Sequence, residues 1–369
     1  MATQQPAPKA IPVATVEKLI RFRILELPEG LRVITASDWQ RQKRGETISG
    51  IHWQAYTVDA ARGRARLERK VSQESSAYDF DIGVSDDAIL WLIESNKRRP
   101  LDATLLRTRA TAAGIIPVSE DGQTTAVELP EARRAEIQVG TPWHTVMPGR
   151  QWLFSPRVRA SHAGDWWVVC NSLDGRILRM RGPLPAAPDA GTRLHRPWGE
   201  PKVPEWKEIG FGPPGLYPVA VEGRAAFIVA FAQATLAHNL FWSLGNYNGH
   251  LPEGNPRGTL TIQRFGADAG TTALAALGPV SALDLDQGPD GTLYLAAFHQ
   301  AGPTTEVALL TSSDEAHTWR PLATLEAPRT VDQVAVRAAR KGGAWIGFSF
   351  RDGETSVIKV AAIGAGAAP

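Results

Sequence analysis

Residues 281–286, Ser-Ala-Leu-Asp-Leu-Asp, alternate apolar and polar positions, the period of a half-buried strand. Gln287-Gly288-Pro289-Asp290-Gly291 follows as a turn signal. Residues 292–298 read as a second, more apolar strand, residues 306–311 as a third and residues 319–325 as a fourth. Together they predict a four-stranded antiparallel meander. Its first half recurs along the chain as a strand, a polar or glycine turn, then a more apolar strand. The pairs are 79–84 with 88–93, 156–160 with 166–169, 217–221 with 225–231, and 331–337 with 344–348. Near-continuous apolar runs suit strands covered on both faces. A sixth unit is read from 31 to 71, with 51–58 as one of its strands.

These repeats predict an all-β chain folded as a β-propeller of six blades, or seven. The last unit has room for about three strands before residue 360. Residues 21–27 are expected to supply the missing one and close the ring, because closure removes exposed sheet edges. Residues 14–365 are read as this single domain and residues 1–13 as a disordered tail. Long insertions are expected at 183–205 and 244–258, and a helical segment at 129–136. The runner-up folds are a pair of β-sandwiches or two separate β-domains; no linker-like shift in composition divides the chain, which argues against the latter.

The turn before the fourth strand is Ser312-Ser313-Asp314-Glu315-Ala316-His317-Thr318-Trp319. Read as Ser-x-Asp-x-Ala-x-Thr-Trp, it resembles the Asp-box of the sialidase-like propellers, with Ala316 where that family usually has glycine. The resemblance implies a structural role for Ser312, Asp314, Thr318 and Trp319. Asp and Ser would bond the backbone of the turn, and the Trp would pack into the blade. Aspartate and serine side chains are suited to capping turn amides.

The same resemblance implies where catalysis would lie. Sialidases carry an Arg-Ile-Pro element on an early strand whose Arg binds the substrate carboxylate. Phe22-Arg23-Ile24-Leu25 is similar, with Leu25 in place of Pro, so Arg23 is the candidate. That chemistry also needs two further Arg, a Tyr nucleophile with a Glu partner and an Asp acid/base. The chain has five tyrosines, Tyr56, Tyr78, Tyr217, Tyr247 and Tyr294, and the sequence pairs none of them with a Glu.

Composition narrows the remaining classes. The formal charge is +2, from 40 basic and 38 acidic residues, so no global field favours nucleic acid or an anionic membrane. The densest basic run is Arg62, Arg64, Arg66, Arg69 and Lys70, read as the wet face of an outer strand, with a polyanion site as the alternative. Cys170 is the only cysteine, so no intramolecular disulfide forms. No apolar run follows Lys9 as a signal peptide would require, and a cytoplasmic location is the expectation. No metal or cofactor motif is recognised. Asp284-x-Asp286-x-x-x-Asp290-Gly291 fails the register of a calcium loop.

Long loops on a rigid scaffold are where binding residues usually sit. Tyr247, His250 and Glu253 share one such loop, and His195 and Trp198 another. The reading that follows is a non-catalytic propeller that binds a protein partner or small ligand through those loops. A sialidase-like glycoside hydrolase is the alternative, and a carbohydrate-binding lectin the third.

Overall fold

The structure is a computed structural model. It describes residues 8–27, 30–74, 77–84, 89–95, 102–108, 135–139, 153–160, 166–172, 176–181, 207–211, 215–233, 257–301 and 304–364. The described chain is a succession of strands. First come β1 (Ile11–Glu17), β2 (Leu19–Leu27), β3 (Gly30–Lys43), β4 (Glu46–Asp59) and β5 (Arg64–Glu74). Next are β6 (Ala77–Val84), β7 (Ile89–Ser95), β8 (Asp102–Thr108) and β9 (Ala135–Val139). Then follow β10 (Leu153–Ala160), β11 (Trp166–Ser172), β12 (Arg176–Arg181) and β13 (Lys207–Phe211). After them run β14 (Gly215–Glu222), β15 (Ala226–Gln233), β16 (Gly258–Gly266) and β17 (Gly270–Ala273). The last seven are β18 (Pro279–Gln287), β19 (Leu293–Ala301), β20 (Thr304–Ser312), β21 (Arg320–Glu326), β22 (Val331–Ala338), β23 (Ala344–Asp352) and β24 (Thr355–Ile363).

Three sheets are simple meanders, β2-β3-β4-β5, β6-β7-β8-β9 and β10-β11-β12-β13. A fourth has the order β1-β24-β23-β22. The longest runs β14-β15-β16-β18-β19-β20-β21, with β17 also on β16. Its two halves join only where Gly258 and Thr259 meet Val280 and Pro279. The chain divides into two compact units. One comprises Met1–Val16, Thr57–Arg66 and Gly215–Pro369; the other comprises Glu17–Tyr56 and Leu67–Pro214.

In the first unit, the leading strand β18 packs beside β14 and β22. Between β18–β21 and the last sheet lies a core of Tyr294, Phe298, Leu309, Leu325, Val334, Ile346, Phe348 and Ile363. Burial falls from inner to outer strands: β20 is mostly buried, whereas β21 keeps only Leu325 fully covered. That gradient explains the apolar runs of β18–β20 and the polar sequence of β21. In the second unit, β6 packs beside β2 and β10. Phe22 and Trp53 there are wholly buried.

Three expectations change. The strand that completes the last sheet is β1, not residues 21–27, which belong to β2 and begin the next sheet. Lys18, in left-handed backbone at φ 46°, separates the two strands. β1 also starts at Ile11, inside the stretch read as a tail. It buries Ile11, Val13 and Val16, a period of two that breaks between 13 and 16, although Pro and Ala around it suggested disorder. Of the segment read as helical, residues 135 and 136 begin strand β9 and the rest lies outside the described residues.

The turn at 312–319 is a closed hydrogen-bond network. The Ala316 amide donates to Ser312 Oγ at 3.0 Å, and Ser312 Oγ donates to Asp314 Oδ1 at 2.8 Å. Thr318 donates its amide to Oδ1 at 3.0 Å and its hydroxyl to Oδ2 at 2.5 Å. Ala316 sits at φ 68°, the left-handed region where glycine is easiest, and this accounts for the glycine the resemblance led one to expect. The turn also fastens its meander to the preceding one. Glu315 accepts the amides of Arg224 and Ala225 at 2.7 and 2.9 Å, and Arg264 Nη1 donates to the Ala316 carbonyl at 3.2 Å. Gly223 leaves room for this, since a Cβ there would lie 2.8 Å from Glu315 Oε2. Trp319 is half-buried.

Partial burial pushes the Asp314 carboxyl up, but Thr318, Ser312 and His317 outweigh it and hold the group at about 2. Its folded value is below the ordinary one, so its contribution is complete above about pH 4 and fades as pH falls towards 2. Asp314→Ala is expected to cost about 1 kcal/mol at pH 7, the solvent-facing side of the group being screened. Urea melts at pH 7 and pH 2.5 should show the difference shrinking; an equal loss at both would refute this account.

Candidate functional site

The first strand of each four-stranded run carries a register shift near its start. The shifts fall at Leu19/Arg21, Ala77/Asp79, Phe154/Arg157, Leu216/Val219, Val280/Ala282 and Val331/Gln333. A bulge turns the side chains that follow it. Two residues beyond each shift lie Arg23, Asp81, Arg159, Val221, Asp284 and Ala335 in turn. In the second unit this places Arg, Asp and Arg on three adjacent strands, β2, β6 and β10.

Those three side chains meet. Arg23 Nε donates to Asp81 Oδ1 at 2.6 Å, and Arg23 Nη2 bonds the same oxygen. Arg159 Nη1 donates to Oδ2 at 3.1 Å. Asp81 is wholly buried, and Arg23 and Arg159 are each 6% exposed. Arg21 and Arg157 precede them by two residues and so share their strand faces. Burial drives the Asp81 carboxyl up, but Arg23, Arg159, Arg157 and Arg21 together hold it below the usual carboxylate range. Two guanidiniums therefore bond this carboxylate, and the charges of Arg157 and Arg21 reach it. Asp81 occupies Arg23 with a carboxylate from the protein itself. Arg157 is buried, whereas Arg21 keeps partial access to solvent.

Arg23 was the residue singled out in the sequence; Asp81, Arg157 and Arg159 were not. The available signal was paired charge at alternate positions, Arg21-x-Arg23, Asp79-x-Asp81 and Arg157-x-Arg159, inside strands read as buried. In the first unit the comparable pair, Asp284 and Asp286, bonds β22. Asp284 accepts the Val336 amide at 2.9 Å. Asp286 accepts the Ala338 amide at 2.9 Å and Arg337 Nη1 at 3.2 Å. These carboxylates stitch two leading strands together.

Asp332 is a different carboxyl. It is the residue displaced by the shift in β22, accepts Ser349 Oγ at 2.5 Å and lies 3.8 Å from Arg351 Nε. Burial raises it, and those two neighbours only partly oppose the shift. It holds a proton at higher pH than an ordinary aspartate. Among the described residues no group of three or more His, Cys, Asp or Glu side chains is placed to hold a metal ion. No helix among them is long and apolar enough to cross a membrane. Tyr247, His250, Glu253, His195 and Trp198 lie outside the described residues.

No protein-family model matches the sequence, and no curated protein matches it. Solved structures do. An α-L-arabinanase of Penicillium chrysogenum aligns over 96% of this chain and 98% of its own, at TM-score 0.53 and 11% identity. The α-L-arabinofuranosidase Arb93A of Fusarium graminearum aligns over 97% and 98%, at TM-score 0.51 and 7% identity. A Trypanosoma rangeli sialidase variant aligns over 95% of this chain and 54% of its own, at TM-score 0.47 and 9% identity. The protein has an all-β fold of several antiparallel sheets, and its neighbours in fold are β-propellers. At such identities the likeness is one of fold.

Proposed function

We propose that the protein is a carbohydrate-active propeller that anchors an anionic group of a glycan on Arg21. The observation that carries this reading is the convergence of Arg23 and Arg159 on Asp81, with the charges of Arg157 and Arg21 also reaching it. Arg23, Asp81 and Arg159 form a fixed backing, because each guanidinium is held by a buried carboxylate. Arg21, on the Arg23 strand face with partial access to solvent, adds a planar donor suited to a carboxylate or sulfate. Two neighbours in fold being glycosidases by name supports a carbohydrate role over a protein-binding scaffold. Six four-stranded runs support six blades, β16 and β18 being bridged at two residue pairs only. The network at 312–319 supports the Asp-box reading of that turn.

Fluorogenic glycosides of sialic acid, glucuronic acid and L-arabinofuranose, with calorimetry on the free sugars, test this. An acidic sugar should be turned over or bound in preference to the neutral one. Arg21→Ala should weaken that by roughly 10–100-fold, the worth of one charge-assisted contact. Neither turnover nor binding of any acidic sugar would end the proposal.

A further inference from the structure

The second unit carries an aromatic and basic face that the arginine cluster does not use. It lies on β3, β4 and β5, the outer strands of their sheet, with β5 at the edge. Trp39 of β3 stacks on His52 of β4, with ring centroids 5.8 Å apart and planes inclined by 27°. Arg41, two residues along β3, sets its guanidinium carbon 5.2 Å from the Trp39 ring centre. His52 Nδ1 lies 2.7 Å from Ser72 Oγ of β5. Lys70, two residues before Ser72, shares its strand face, and its charge reaches the His52 ring. Lys43 continues the alternation Trp39, Arg41, Lys43 on β3. Arg41, Lys43 and Lys70 are exposed. Asp38, whose charge also reaches the His52 ring, takes Gln40 Nε2 on the opposite side of β3, and Glu68, two residues before Lys70, is paired with Arg32 Nε at 2.8 Å.

We propose that this face binds a linear sulfated polysaccharide. Three solvent-facing cations border a stacked aromatic pair, and the stack holds the Arg41 guanidinium in place before any ligand arrives. Immobilising a long side chain in advance removes part of the entropy lost on binding. A sulfate ester matches a planar guanidinium and a mobile ammonium together. Nucleic acid is the poorer match: its single strands need open aromatic faces for stacked bases, and the Trp39 ring is already engaged by His52 and Arg41.

The test is retention on immobilised heparin across a salt gradient, with calorimetry against heparin, hyaluronan and single-stranded DNA. The full chain should bind heparin more tightly than hyaluronan or DNA, and less so as salt rises. The double variant Arg41→Glu with Lys70→Glu should bind heparin roughly tenfold or more weakly. Both positions are exposed, so its melting curve should match the parent. The double variant should bind free glucuronic acid as the parent does, which separates this face from the arginine cluster. Unchanged heparin retention by the double variant overturns the proposal, as does DNA binding equal to heparin at the same salt. A parent chain that ignores heparin overturns it outright.

Discussion

Asp81→Ala is expected to destabilise the protein by about 3–5 kcal/mol, because it leaves Arg23 and Arg159 buried without their shared carboxylate. A buried cation cannot regain the hydration it lost on folding, so the cost exceeds that of the missing hydrogen bonds. Asp81→Asn keeps the shape but not the charge and should lie close behind. Replacing Arg23, Asp81 and Arg159 together with apolar residues of similar volume should be far milder than either single change, since no charge is stranded. The carboxyl is held below its ordinary range in the folded protein. Its contribution is therefore present above about pH 4 and declines as pH falls further. Urea unfolding at pH 7 measures the loss. A change under about 1 kcal/mol for Asp81→Ala would mean that water reaches the pair, contrary to the burial described.

Removal of residues 1–17 is expected to be as damaging, and removal of residues 1–10 nearly harmless. β1 lays Ile11, Val13 and Val16 against its sheet, exposed by only 6%, 8% and 4%. Covering three such side chains stabilises by about 5–9 kcal/mol, which approaches the whole stability of many domains. The longer truncation also turns β24 into an open edge, so aggregation should accompany the loss. Val13→Asp gives the same answer without truncation, as it buries a charge in the β1 position. Thermal melts and light scattering read both effects. Full-chain melting by the protein lacking residues 1–17 would show that β1 does not hold the last sheet.

These two predictions also mark where short-range sequence pattern stops. Alternation and turn chemistry act over a few residues. The meander at 281–325, its turn at 287–291, and the strand pairs at 79–93, 156–169, 217–231 and 331–348 were readable for that reason. So was the capping of the 312–319 turn, whose bonds span two to four residues. β1 was not readable as a strand of the last sheet, because its partner β24 comes from the other end of the chain and seven weakly patterned residues do not announce it. Asp81 joins arginines 58 and 78 residues away, and only the lateral packing of β2, β6 and β10 makes them neighbours. Asp284 and Asp286 read as an acidic motif until β22, about fifty residues on, supplied the amides they accept. Local sequence by itself determined which segments are strands and how their turns close. The packing of one meander against the next decided what each charged side chain on a leading strand meets, because that contact is set by sheet neighbours and not by residues adjacent in the chain.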